Sequence, residues 1–126
     1  MKYLLLVCME EPPGQPGESE EERAGQDAQV DEDLVRWFAE IDKRGSRLIG
    51  SALSQPASAA TVRVRDGEVI MTDGPFAETK EWMAGFDVIE CASMADAVEI
   101  AARHPVAALG MVEVRPFLPD WREPGT

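Results

Sequence analysis

The chain opens on a short, unbroken run of apolar residues, KYLLLVC, at positions 2–8. Polar and apolar residues do not alternate in this run, which predicts a central strand covered on both faces. Between residues 27 and 45 the apolar positions recur at helical spacing instead. Asp27 or Asp31 can cap the start of this predicted helix, and Gly45 can end it. Its apolar stripe consists of Val30, Leu34, Trp37, Phe38 and Ile41.

The rest of the chain alternates between strand and helix patterns. SRLIGSALS predicts a strand that Gly50 weakens, and TVRVRDGEVIMTDG predicts two strands around the Asp-Gly dipeptide at 66–67, a favoured hairpin turn. AGFDVIECAS predicts a further strand. MADAVEIAARH predicts a second helix, which Ser93 caps and which ends at His104, before a proline. GMVEVRPF predicts the last strand.

The order of the predicted elements is strand, helix, three strands, then strand, helix and strand. Each helix lies between strands, which favours a mostly antiparallel sheet with both helices on one face. We therefore predict an α+β fold of the ferredoxin-like sandwich type. A chain of 126 residues can bury one real core. Residues 1–117 are predicted to form a single domain and residues 118–126, rich in proline, a loose tail.

Negative charge is concentrated in one segment of the chain. The net charge is −12, and residues 10–33 contain ten acids and a single base, Arg23. Residues 10–26 have no apolar period, and we predict that they form an acidic surface loop inserted into the domain. The remainder is nearly neutral and has no basic stripe, which argues against a nucleic-acid partner.

Compartment and cofactors are inferred from what the sequence lacks. No apolar run is long enough to cross a bilayer, and MKYLLLVC has no signal-peptide cleavage site, so we expect a cytoplasmic protein with no membrane partner. Cys8 and Cys91 lie in apolar, strand-like runs and are expected to be buried, reduced thiols. With one histidine and no paired ligand spacing, we expect no metal site and no cofactor.

Alternation within the later strands places charged residues on one face. Arg63 and Arg65 share a face, as do Glu113 and Arg115, while valines occupy the opposite faces. We expect the valine faces to pack on the helices. The other sheet face then carries charges of both signs among apolar groups. Either this face is solvated, as is common for antiparallel sheets, or two such faces meet in a homodimer around a cavity for a small anionic ligand.

Asp73, in the segment MTDGPFAETKE, is the leading catalytic candidate. It ends a predicted strand before Gly-Pro, where an aspartate can bond its own backbone in an Asx turn. Alternatively, its carboxylate acts as a general base at the edge of a pocket. In that case we expect at least one of Arg63, Arg65 and Arg115 to share the pocket.

Three further residues have both a structural and a functional interpretation. Glu78 and Lys80 belong either to a solvated face or to a ligand-binding wall. His104 either caps the end of the second helix in its charged form or takes part in catalysis.

The segment TVRVRDGEVIMTDGPFAETKE, together with MKYLLLV at the start and GMVEVRPF at the end, closely resembles the DGPF family, a branch of the YCII-related proteins. The resemblance covers residues 1–117 apart from the acidic loop. It implies a dimeric α+β barrel, in which two ferredoxin-like subunits pair sheet to sheet. Some members of the wider group look like lyases for chlorinated muconate-type products of ring cleavage, and others are fused to sigma factors.

Two functions are compatible with these patterns. The first is a binding module with a pocket for a small anion at the dimer interface. The alternative is a cofactor-free lyase or isomerase acting on a small carboxylate, with Asp73 as the base. The resemblance implies a catalytic His-Asp pair for the wider group, but this chain has only His104 and no histidine in its first helix. That departure favours binding.

Overall fold

The structure is a computed structural model, and it describes residues 1–10, 32–74 and 81–119. The described residues contain six strands and two α-helices, interrupted by short 3-10 turns at Pro56–Ser58 and Pro105–Ala108. In chain order they are β1 (Lys2–Met9), α1 (32–41), β2 (Gly45–Ala52), β3 (Ala60–Arg65), β4 (Glu68–Asp73), β5 (Trp82–Cys91), α2 (Met94–Ala102) and β6 (Met111–Pro116). Neither helix is long and apolar enough to cross a membrane.

Four of the strands form one antiparallel sheet in the order β2-β5-β1-β6. Strands that are distant in sequence are neighbours in this sheet, because each helix carries the chain from one strand to another. The arrangement confirms the predicted α+β class and is consistent with a ferredoxin-like fold. The acidic loop predicted at 10–26, apart from its first residue, and most of the tail predicted at 118–126 lie outside the described residues.

The hairpin β3–β4 forms a separate sheet of two strands. We expected Val62 and Val64 to face the helices, and this prediction was wrong, because both side chains are exposed. The reason is that β3 and β4 are hydrogen-bonded only to each other among the described strands, so neither belongs to the sheet on which the helices pack.

The hydrophobic core lies between one face of the four-stranded sheet and the two helices. Its members are Tyr3 and Leu5 of β1, Trp37 and Ile41 of α1, Ile89 and Cys91 of β5, and Ala97, Ile100 and Ala101 of α2. Val112 and Val114 of β6 pack against this cluster, so the valine face of the last strand meets the helices as predicted. Trp37 also donates its indole N–H to the Ile100 carbonyl at 2.8 Å, which ties α1 to α2.

Gly45 does not have the role expected from the sequence. We predicted that it caps the end of α1, but it begins β2, and a turn over residues 42–44 separates it from the helix. A side chain at this position would collide with the carbonyl oxygen of Glu90 on β5. The glycine is therefore required by the close approach of two strands. The second helix starts as predicted, because the Ser93 hydroxyl accepts a hydrogen bond from the Asp96 amide at 3.2 Å.

His104 is not a charged helix cap, contrary to the structural role expected for it. Its ring is buried and lies edge-on to Trp37, with the ring centres 4.5 Å apart. Nδ1 accepts a hydrogen bond from the Val106 amide at 3.0 Å, which starts the 3-10 turn after α2. Burial lowers the pKa of His104 to about 4, since the charged imidazolium loses its hydration there. The residue is thus a neutral structural element.

The two cysteines lie on opposite faces of the sheet. Cys8 pairs with Met83 and is half-buried on the face away from the helices, whereas Cys91 is buried in the core. Both are free thiols, and burial raises the pKa of each. Their positions exclude a disulfide between them within one chain.

The buried imidazole predicts a specific pH dependence of stability. His104 stays neutral in the folded chain down to about pH 4, whereas an ordinary histidine takes up its proton near pH 6.5. Between these values the unfolded chain binds more protons, so stability rises with pH, by up to about 1.4 kcal/mol per unit. The substitution His104→Asn keeps a side-chain acceptor for the Val106 amide but removes the titrating group.

We therefore expect His104→Asn to flatten the profile of unfolding free energy between pH 4 and 6.5. Urea denaturation of both proteins across this range measures the difference, in which the contributions of the carboxyl groups cancel. Parallel profiles would show that His104 has the same pKa in both states.

Candidate functional site

The candidate site is the sheet face that the helices do not cover, here called the open face. Side chains of β1 and β5 alternate, so that Tyr3, Leu5 and Ile89 point into the core and their neighbours point away from it. Register places Leu4 beside Val88, and Leu6 beside Phe86. The apolar residues of the open face are Leu4, Leu6, Cys8, Ile49, Met83, Phe86 and Val88.

Charged residues border this apolar surface. Lys2 and Glu90 pair across β1 and β5 at one end of it. On the edge strand β6, Glu113 lies opposite Leu6 and Arg115 opposite Leu4. Arg115 Nε lies 3.7 Å from Glu113 Oε2, and the two side chains are 69% and 56% exposed. The alternation of MVEVR thus correctly predicted that both charges point away from the helices.

The hairpin residues singled out from the sequence are not brought together within one chain. Asp73 pairs with Ala60, so it shares a hairpin face with Val62 and Val64. Arg63 and Arg65 point to the opposite face, and both are exposed. A pocket formed by Asp73 and these two arginines of the same chain is therefore incompatible with the hairpin register.

The turns of the hairpin have the expected backbone. Asp66 and Gly67 both have positive φ angles, 51° and 79°, as a tight hairpin turn requires. Gly74, the residue after Asp73, has a φ of 90°, a backbone conformation that glycine adopts far more readily than other residues. Glu78 and Lys80, the other proposed ligand-binding residues, lie outside the described residues.

A buried ion pair was missed by the sequence analysis. Asp87 of β5 is only 5% exposed, and its Oδ1 accepts a hydrogen bond from Arg47 Nε at 2.7 Å. The Arg47 guanidinium also lies 4.4 Å above the ring of Phe38. Burial raises the pKa of Asp87, while the hydrogen bond and the charge of Arg47 act in the opposite direction. The pair lies on the helix-covered side of the sheet and joins β2, β5 and α1.

Gly50 makes room for this pair. It lies opposite Asp87 in the β2–β5 register, and a Cβ atom there would collide with Asp87 Oδ1 and crowd Arg47 Nη2. The sequence signal was present in two parts: an aspartate on the inward face of GFDVIEC, and a glycine in a neighbouring strand. The glycine that weakens the strand pattern is thus required by a side chain on the next strand.

A surface cleft of about 240 Å³ lies between α1 and the end of α2. It is lined by Asp33, Arg36, Trp37, Glu40, Arg103 and Pro105. Arg103 Nη1 contacts Glu40 Oε2 at 3.2 Å, and Arg36 Nη1 lies 3.6 Å from Asp33 Oδ1, so the charges are balanced. The cleft contains none of the predicted site residues, and we regard it as a feature of the helix junction.

The fit of Gly50 beside the ion pair can be tested by mutation. Gly50→Ala forces Asp87, Arg47 or the backbone of β5 to move, and we expect it to lower the free energy of unfolding by about 1–3 kcal/mol, the usual cost of overpacking. Ser51→Ala, at an exposed position of the same strand, is the control and should change it by less than about 0.5 kcal/mol. Equal effects in urea denaturation would contradict the packing argument.

Comparison with known proteins agrees with this architecture over nearly the whole chain. Residues 1–121 match the model of the YCII-related domain. The chain is also similar to an uncharacterised protein of Rhizobium meliloti (strain 1021), with 39% identity over 102 residues that cover 78% of this chain and 76% of the relative. The chain therefore belongs to the YCII-related domain family.

Proposed function

We propose that this protein belongs to the DGPF branch of its family and binds a small anionic molecule between the open faces of two copies in a homodimer. The observation that carries the proposal is the apolar, charge-bordered face of the sheet that neither helix covers. Binding, rather than turnover, is the function proposed.

The apolar character of the open face supports association between two copies. Its central residues, Leu4, Leu6, Phe86 and Val88, are contiguous across two neighbouring strands, and Ile49 extends the patch to β2. Contiguous apolar patches on soluble proteins commonly mark interaction sites. Two sheets packed face to face lie about 10 Å apart, and side chains fill most of this distance. Where the facing side chains are short, space is left for a ligand.

The charges at the border of the face support an anionic ligand. Arginine presents a planar set of donors that binds a carboxylate through two parallel hydrogen bonds. Glu113 contacts Nε of Arg115, which orients the guanidinium and leaves other donors for a ligand. In the single chain this contact is largely exposed and contributes little stability. Between two sheets the same charges act in a lower dielectric, where they attract an anion more strongly.

Binding is placed ahead of a lyase or isomerase reaction because of where Asp73 lies. The carboxylate is exposed at the end of the hairpin and on the face opposite Arg63 and Arg65. His104, the other candidate for proton transfer, is buried and uses Nδ1 to accept a backbone hydrogen bond. Asp73 is therefore separated from the two arginines of its hairpin, and His104 is held in a structural contact.

The proposal predicts dimerisation and ligand stabilisation that depends on Arg115. Mass measurement in solution at micromolar concentration should give twice the chain mass. Thermal unfolding with cis,cis-muconate or inorganic phosphate as the probe should show a rise in Tm with the logarithm of concentration, since a ligand at a hundredfold excess over Kd stabilises by about 2.7 kcal/mol. Sodium chloride at equal ionic strength controls for screening.

Arg115→Gln should weaken binding of the stabilising probe at least tenfold. The matched control is Arg103→Gln, which removes an exposed, ion-paired arginine on the helix side of the molecule and should leave binding unchanged. A monomeric mass, or an equal loss of stabilisation in both variants, would contradict the proposal.

A further inference from the structure

The hairpin β3–β4 presents a second apolar surface, distinct from the open face. Cross-strand register places Val62 opposite Met71, and Val64 opposite Val69, on one side of the hairpin. These four side chains are 59%, 67%, 58% and 71% exposed, respectively. The other side carries Arg63, Arg65 and further residues that include threonines and Glu68. The hairpin is therefore amphipathic, with its apolar side turned to solvent in the single chain.

This exposure is unusual for a hairpin of only two strands. Isolated two-stranded hairpins are marginally stable in water and require a packed face. Apart from Thr61, every residue of the two strands is exposed, so the described residues of the body provide no such packing. Hydrogen bonds close the base of the hairpin, from the Gly74 amide to the Ala59 carbonyl at 2.6 Å and from the Thr61 hydroxyl to the Gly74 carbonyl at 2.8 Å.

We infer that the hairpin is an arm whose apolar side packs on a second copy of this chain. The inference rests on the homodimer of the proposed function and adds a second contact to it. A second copy is the occupant because the homodimer already places another chain against the open face, and the open face alone is no larger than a standard interface requires. The chain leaves the main sheet where Ala52 pairs with Gly85, and the arm follows as a separate sheet of two strands.

The area of the interface supports this assignment. Four strands about 4.8 Å apart, of eight, eight, ten and six residues at about 3.3 Å per residue, present a face of about 500 Å² in projection. A standard interface buries about 800 Å² of accessible surface on each partner. The open face alone is therefore no larger than a standard interface requires. The arm, with two strands of six residues, adds about 190 Å², more than a third as much again.

Docking of the arm also means that residues of both copies form the proposed pocket. Asp73 lies on the same side of the hairpin as Val62 and Met71, so packing this side on a second copy carries its carboxylate to the interface. Arg63 and Arg65 then point away from that contact. Three arginines were expected to share a pocket with Asp73. Of these, only Arg115 can then do so, and it belongs to the other copy.

A pair of variants on opposite sides of the arm tests the inference. Val64→Asp places a charge on the apolar side, and Ile70→Asp places the same charge at an exposed apolar residue on the other side. We expect Val64→Asp to raise the dimer dissociation constant at least tenfold and Ile70→Asp to change it less than twofold. Analytical ultracentrifugation over a dilution series measures both, with circular dichroism to verify folding.

Removal of the arm provides an independent measurement. The hydrogen bond between Gly74 and Ala59 brings the two ends of the hairpin together, so residues 60–73 can be replaced by a short Asn-Gly link. This variant should also dissociate at least tenfold more readily. The arm contact is wrong, while the dimer stands, if Val64→Asp and arm removal both leave the dimer dissociation constant unchanged. It is also wrong if Val64→Asp and Ile70→Asp raise that constant equally. A wild-type monomer would overturn the proposed dimer itself.

Discussion

The organisation of this protein depends on one constraint: β1 is apolar on both of its faces, and the chain packs both of its helices on only one of them. Tyr3 and Leu5 lie in the core under α1 and α2, while Leu4 and Leu6 point to the other side. Burying apolar surface is the main favourable term in folding, at about 25 cal/mol per Å². The half-buried apolar residues on the face that the helices do not cover retain a driving force for association, on which the proposed dimer and its pocket depend.

The helix-covered side is fixed by more than apolar contacts. The buried Asp87 is paired with Arg47, and the guanidinium packs on Phe38 of α1, so a polar contact links an edge strand, a central strand and a helix. Such a pair contributes little net stability when compared with apolar packing, but removing one partner leaves a buried charge. Gly50 is part of the same arrangement, because only a residue without a side chain fits beside Asp87.

The hairpin shows how a local pattern can be right while its environment differs from expectation. The Asp-Gly turn and the strand register follow from local residues, and both match the prediction. Alternation also separated Val62 and Val64 from the arginines, but it could not identify what each side faces. That depends on whether β3 joins the main sheet, and in the structure it pairs with β4 alone.

The sequence alone determined the element types, the α+β class and the charged face of β6, because hydrophobic periodicity reports which side of an element is buried. It also indicated the family, through the long string that contains Asp73. Only the tertiary structure decided the separation of the hairpin, the strand-contact role of Gly45, the neutral state of His104 and the Arg47–Asp87 pair. Each of these depends on residues far apart in the chain, whose distances are set by strand pairing and helix packing rather than by local preference.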